Sequence, residues 1–176
     1  MSYILKKIIL FVYGWDLWTV ILWTILSIIL WTVINKRITR KTRRRINGIM
    51  FSLIIVAIVF FTITARSTQV ERRVHLVPFW SYIASHGSGR ETLWLNAFFF
   101  LPIGLSLPFL LSDNLKDKPR TTILIACVFS LAIEMIQFIF KLGLAETTDV
   151  IMNTLGAALG TISYITANHK KEKSEP

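Results

Sequence analysis

The stretch TTILIACVFSLAIEMIQFIF, residues 121–140, is a run of twenty residues whose one charged side chain is Glu134. About 20 apolar residues in helical conformation cross the hydrocarbon core of a bilayer. Lipid offers no hydrogen-bond partners to a backbone, so only helices and closed barrels span it. The period-two alternation of a barrel strand is not found in the sequence. The stretch therefore predicts a transmembrane helix.

Four further apolar runs have a similar length. The chain has 176 residues, of which 53% are hydrophobic and 17% charged, with a mean hydropathy of +0.57, values that exclude an ordinary soluble domain. The sequence predicts an all-α, polytopic membrane helix bundle of about five transmembrane helices, and the predicted spans are residues 15–34, 46–65, 93–111, 121–140 and 148–167.

The basic residues indicate how the bundle is oriented. The net charge is +10, but Lys and Arg cluster in the gaps between apolar runs, which favours membrane-flanking charge over nucleic-acid binding. Placing residues 36–45 in the cytoplasm puts thirteen basic residues inside and seven outside. The positive-inside rule then predicts an outside N-terminus and a cytoplasmic C-terminus. We interpret residues 1–65 as a helical hairpin with a basic cytoplasmic loop, 66–168 as the core and 169–176 as a cytoplasmic tail.

Polar side chains from three predicted helices fall in the outer half of the bilayer under this topology. An intramembrane carboxylate costs roughly 2.5–3.5 kcal/mol on insertion scales and commonly marks a site. Amides and hydroxyls can instead hold helices together through hydrogen bonds. Both interpretations stay open, and Asp149 can also cap a helix N-terminus. The candidate ligand-binding residues in this cluster are Asn96, Glu134, Gln137, Asp149 and Asn153.

The outer segment, residues 66–92, adds basic and aromatic side chains. Arg72 and Arg73 are candidates for contacting a phosphate, such as a lipid headgroup. The VPFW motif at residues 77–80 predicts an extended segment at the membrane interface. Gly156 and Gly160 form a GxxxG spacing, which predicts close packing within the bundle. The three histidines are scattered, so neither a metal site nor a cofactor is expected.

Two blocks resemble the VanZ-like family of bacterial membrane proteins. The first is VHLVPFWSY followed by LNAFFFLPIGLSLPFLL, and the second is SLAIEMIQFIF followed by LGLAETTDVIMNTLGAALG. The second is more specific, because an ExxQ helix, an acidic turn and a DxxxNxxG pattern follow in order. The resemblance implies that the five cluster residues are the family's polar motif positions. It also implies a link to glycopeptide resistance, teicoplanin above all, in Gram-positive bacteria, without supplying a reaction.

Three hypotheses about function follow. In the first, an outward-facing polar pocket engages membrane lipids or a lipid-linked cell-wall precursor, with a glycopeptide antibiotic as a further candidate partner. In the second, the chain is a membrane-embedded hydrolase or transferase, in which Glu134 and Asp149 are the candidate catalytic residues. In the third, these acids only hold helices together in a structural scaffold.

Overall fold

The chain folds as an all-α, polytopic helix bundle with a small parallel sheet at one end. The computed structural model describes residues 17–64, 73–84, 86 and 90–168. In chain order the elements are α1 (Leu17–Arg37), α2 (Arg40–Val59) with a π-helical turn (Phe60–Thr64), β1 (Arg73–His75), α3 (Trp80–Ala84), α4 (Arg90–Leu110), α5 (Lys118–Phe140), β2 (Leu144–Glu146) and α6 (Thr147–Asn168).

Within the described residues, four helical segments are long and apolar enough to cross a membrane: Arg40–Thr62, Leu93–Leu110, Lys118–Phe140 and Thr147–Asn168. They correspond to four of the five predicted spans. The remaining span, 15–34, overlaps the 21-residue helix α1, and its first two residues lie outside the described part. The chain is therefore a membrane protein, and its number of crossings and orientation stay predictions.

The boundary between α1 and α2 differs from the sequence-based prediction. Most of the basic segment 36–45, expected to be a loop, is helical, and only Ile38 and Thr39 separate the two helices. Lys and Arg are good helix formers. The Thr39 hydroxyl also accepts a hydrogen bond from the Thr42 N–H and so caps α2. The basic run is thus continuous with the membrane-length helix.

Helix α4 occupies the centre of the bundle. Most of its residues between Leu95 and Phe109 are buried in protein, whereas α5 leaves large apolar side chains such as Val128 and Met135 exposed. A helix that is apolar on all sides is stable in the middle of other helices, and exposed apolar side chains on a membrane helix suit lipid. The core accordingly lies around α4, with lipid-facing surfaces outside it.

Helices α4 and α6 approach each other through glycines. A Cβ added at Gly156 would lie 2.6 Å from the carbonyl carbon of Ala97, and one at Gly160 would lie 2.7 Å from the Leu105 nitrogen. From the other side, a Cβ at Gly104 would lie 2.8 Å from the Gly160 Cα. These separations leave no room for a methyl group, so the GxxxG prediction of close packing within the bundle is confirmed.

One end of the bundle carries residues 36–45 and 111–120 and is referred to here as the basic end. Asp113 there contacts Arg40 and also lies 3.5 Å from Arg44 and 3.3 Å from Lys118. The Asp113 carboxylate is exposed, so each pair adds little to stability. They nevertheless place the two basic segments on the same side of the bundle, as the sequence-derived topology requires.

A buried amide network joins α1, α2 and α4 in the half of the bundle nearer the basic end. Asn47 Nδ2 donates to Asn35 Oδ1 at 2.9 Å, and Trp31 Nε1 donates to Asn47 Oδ1 at 3.2 Å. The same Trp31 nitrogen donates to the Leu105 carbonyl oxygen at 3.0 Å. Both asparagines are fully buried. The network is a structural tie that the sequence analysis did not identify.

The opposite end, the loop end, carries residues 60–64, 73–84 and 141–149. Strands β1 and β2 pair in parallel here, with His75 opposite Glu146. The expected extended conformation of VPFW is wrong, because Pro78 and Phe79 form a turn in which Phe79 has a φ of 61°. The Phe79 N–H donates to Thr148 Oγ1 at 2.7 Å, which holds this left-handed residue in place.

Candidate functional site

Glu134 is a buried carboxylate near the loop end of α5. Glu134 is only 8% exposed, and its Oε2 accepts a hydrogen bond of 3.0 Å from the Glu146 backbone N–H. The contact is possible because Lys141, with a φ of 56°, ends α5 in the left-handed conformation and turns the chain back toward the helix. This carboxyl group thereby orients β2.

Asp149 lies in the first turn of α6, where a carboxylate is favoured by the helix dipole. Its Oδ1 accepts a hydrogen bond of 2.8 Å from Asn96 Nδ2, which projects from α4. The glycine contact between the two helices brings these side chains within reach. Of the five cluster residues predicted from sequence, Asn96 and Asp149 are thus brought into direct contact.

Gln137 follows Glu134 by about one turn and is 1% exposed. Its Nε2 donates to the Thr62 carbonyl oxygen in the π-helical turn at 2.9 Å. Its Oε1 has no hydrogen-bond partner within the part of the chain that the structure describes. A buried acceptor without a donor costs about 1–3 kcal/mol, so this oxygen carries an uncompensated cost among the described residues.

Asn153 makes a different contact from the other cluster residues. Its Nδ2 donates to the buried Ser130 hydroxyl at 2.8 Å, joining α6 to α5. The structure therefore places Asn153 in a helix-to-helix hydrogen bond. Arg72 lies outside the described residues, and Arg73 is described through its backbone in β1, paired with Leu144.

A second polar cluster at the loop end was missed by the sequence analysis. The Ser81 hydroxyl, in α3, donates to Glu146 Oε1, and His75 Nδ1 lies 3.2 Å from the same hydroxyl oxygen. His75 Nδ1 is also 3.7 Å from Glu146 Oε1. The three residues come from β1, α3 and β2, and the pairing of β1 with β2 sets their positions. Sequence spacing gives no signal for such a contact between residues 65 positions apart.

No group of three or more His, Cys, Asp or Glu side chains in the described ranges could hold a metal ion. At the loop end, the carboxyl groups of Glu134, Glu146 and Asp149 each accept a hydrogen bond. Carboxyl groups of this kind can bind a polar headgroup or take part in proton transfer.

Comparison with known proteins identifies the family. The model of the VanZ/LLP1 family matches residues 17–168, which include every described helix and strand. The chain belongs to the VanZ/LLP1 family. It is also similar to Protein VanZ of Enterococcus faecium, with 37% identity over 107 residues, which is 58% of this chain and 60% of that protein. The matched region is thus less than two thirds of the length of Protein VanZ.

No solved structure matches this VanZ/LLP1 chain.

Proposed function

We propose that this chain is a multi-pass protein of the bacterial cytoplasmic membrane whose loop end faces outward and engages an envelope lipid or a lipid-linked wall precursor. One observation carries the proposal. Within a membrane helix bundle, the Glu134 carboxylate and the Gln137 amide are both buried at this end, and Gln137 Oε1 lacks a donor in the described part of the chain.

The chemistry of the site indicates what kind of group it would take. Gln137 Oε1 requires a hydrogen-bond donor, and the carboxylates of Glu134 and Asp149 also accept hydrogen bonds. Hydroxyl, amide and amine groups of a sugar or peptide headgroup supply such donors. In this proposal Asn96 and Asn153 orient the two helices that frame the site, while Arg72 and Arg73 attract the phosphate of the same ligand.

Similarity to Protein VanZ supports a link to glycopeptide resistance. Glycopeptides and their lipid-linked targets act at the outer face, where the proposed topology places the loop end. Resistance would follow if binding at this site reduced the amount of drug, teicoplanin above all, that reaches or holds its target. A general role in cell-envelope homeostasis fits the same binding site, and the antibiotic itself is a further candidate ligand.

Specific contacts also favour a structural scaffold as the second candidate. The Asn96–Asp149 and Asn153–Ser130 hydrogen bonds join separate helices at 2.8 Å each. Bonds of this kind contribute about 0.6–2 kcal/mol in membrane bundles. In a scaffold these polar groups stabilise the bundle and bind nothing from outside.

Substitution of Glu134 by Gln separates these functions. The variant keeps an oxygen that can accept from the Glu146 N–H, so the fold should persist while the charge is lost. Asp113→Asn is the matched control, since it removes the same charge from an exposed residue at the basic end. We would express each variant in a susceptible host, then measure the teicoplanin inhibitory concentration, membrane abundance and the lipids that co-purify in mild detergent.

If the binding proposal is right, Glu134→Gln lowers the teicoplanin inhibitory concentration and the amount of co-purifying lipid, while membrane abundance stays near normal. Asp113→Asn should behave like the wild type in all three measurements. A fall in abundance that alone accounts for the lost resistance would identify the scaffold. Unchanged resistance, lipid content and abundance would refute a role for the Glu134 charge. Complete loss of activity with the lipid still bound would instead favour an enzyme that uses Glu134 and Asp149.

A further inference from the structure

The hydrogen bonds among His75, Ser81 and Glu146 define a proton-transfer chain. Ser81 has one hydroxyl proton, and it is directed at Glu146 Oε1. The contact between His75 Nδ1 and Ser81 Oγ, at 3.2 Å, must then have Nδ1–H as the donor. The serine oxygen therefore lies between a donor and a carboxylate that can accept its proton. This is the arrangement by which an adjacent base activates a hydroxyl nucleophile.

The base in this chain is itself held in place. The Glu146 N–H is bound by the Glu134 carboxylate at 3.0 Å, and the pairing of β2 with β1 fixes the residue opposite His75. Ser81 lies two residues after Phe79, whose left-handed backbone costs about 1–3 kcal/mol and is the kind of strain found at active sites. A nucleophile, a base and a group that orients the base are thus present together.

The cluster is accessible from outside the bundle, and its surroundings are apolar. The His75 side chain is 36% exposed and that of Glu146 13% exposed, while Ser81 is half-buried. Large exposed apolar side chains surround the serine in the chain, namely Leu76, Val77, Trp80 and Ile83. A surface of this kind at a membrane boundary favours contact with acyl chains.

We propose that Ser81 is a catalytic nucleophile, with Glu146 as its general base, that accepts an acyl group from a fatty-acyl ester at the membrane boundary. The Ser81 oxygen attacks the ester carbonyl carbon while its proton moves to Glu146. The carbon–oxygen bond to the alcohol then breaks, and the leaving alkoxide takes the proton from Glu146. The products are acyl-Ser81 and the free alcohol. Water attacks the acyl-serine by the reverse proton transfers and releases the fatty acid.

None of these three residues is among the proposed ligand-binding residues, but the two sites share Glu134. Glu134 acts here as a positioning residue through the Glu146 N–H. Loss of lipid binding in a Gln137 variant would leave the acyl-transfer proposal intact, because the Gln137 side chain hydrogen-bonds to Thr62 and not to this cluster.

The test uses the full-length protein in mild detergent and a long-chain alkyl fluorophosphonate, which reacts with activated serines. Peptide mass spectrometry locates the adduct, and intact mass measured over time gives the rate of labelling. We expect one adduct, on Ser81, which Ser81→Ala abolishes. Glu146→Gln keeps an oxygen that can accept from the hydroxyl but not the base, so it should slow labelling at least about 100-fold.

Two control variants match the chemistry without touching the cluster. Ser112→Ala removes an exposed serine at the basic end, and His86→Ala removes an exposed histidine of the described chain. Both should label like the wild type. A labelling rate unaffected by Glu146→Gln would overturn the proposal, as would no adduct on Ser81 in protein that elutes as a single species.

The acyl specificity is tested with p-nitrophenyl esters of acetate and octanoate. An octanoyl-Ser81 adduct that forms faster than the acetyl adduct supports a fatty-acyl substrate. An adduct that forms faster from acetate, or forms on another residue from both esters, would refute that substrate class.

Discussion

Replacing Gly156 with Ala tests whether close packing of α4 against α6 determines the fold. The added Cβ would lie 2.6 Å from the Ala97 carbonyl carbon, whereas ordinary contacts begin at 3.4 Å, so the helices must separate by at least about 0.8 Å. The neighbouring atoms belong to a helix backbone, which cannot turn aside as a flexible side chain would. A gap of 0.5–1 Å forfeits roughly a quarter to a half of the dispersion attraction along the contact.

Overpacking of a filled interface costs about 1–3 kcal/mol and occasionally more, and the glycine contacts at 104 and 160 on the same interface place Gly156→Ala near the upper figure. A cost of about 3 kcal/mol corresponds to a fall of about 6–12 °C in the denaturation midpoint for a chain of this size. In the assay, detergent-solubilised protein is heated to a series of temperatures. The fraction that still elutes as a single species gives the denaturation midpoint.

Gly48→Ala is the matched control for this substitution. Gly48 lies within α2, and a Cβ there would meet only Leu110 Cδ2 at 3.9 Å, an ordinary contact. Ala is favoured over Gly in a helix by about 0.8–1 kcal/mol, so this variant should melt at or above the wild-type temperature. If Gly156→Ala also melts within experimental error of the wild type, the packing argument is refuted.

Three further predictions concern the two ends of the bundle. Asn47→Ala removes the donor to a buried amide oxygen and should destabilise the chain by about 1–3 kcal/mol, read as a lower denaturation midpoint; no change would refute the network. Thr148→Val removes the acceptor of the Phe79 N–H and should speed proteolysis of residues 76–84. Thr166→Val, at an exposed position, should not. Equal proteolysis rates in the two variants would contradict this prediction. Ser112→Cys, in a background without the single native cysteine, should react with an impermeant maleimide only after the cells are opened. Labelling in intact cells would show that the basic end faces outward, opposite to the prediction.

The membrane helices and the glycine contact could be predicted from sequence because each depends on local features. Span length is set by bilayer thickness, and the GxxxG spacing places two small residues on one helix face. The position of Asp149 in the first turn of α6 followed from the same reasoning. Each of these features depends on residues within one segment, so the sequence of that segment is enough to predict it.

Contacts between distant segments could not be predicted in this way. Strand β1 pairs with β2 through three residues on each side, too few to show an alternating pattern. The link from Ser81 to Glu146 depends on that pairing. Asn35 and Asn47 occupy otherwise apolar or basic segments, where an isolated amide gives no indication of its partner. The start of α2 at Arg40 was missed because the basic residues were interpreted only as a topology signal.

The α4–α6 contact also links the fold to the candidate site. Asn96 precedes Ala97, the residue that faces Gly156, and its amide bonds to Asp149 at 2.8 Å. A separation of about 0.8 Å would lengthen this bond to about 3.6 Å, beyond a hydrogen bond. Gly156→Ala should therefore impair the loop end as well as lower stability, whereas Asn47→Ala should lower stability and leave this pair intact. If both variants, at a temperature where each remains folded, retain wild-type resistance and co-purifying lipid, the Asn96–Asp149 pair is not required for the site.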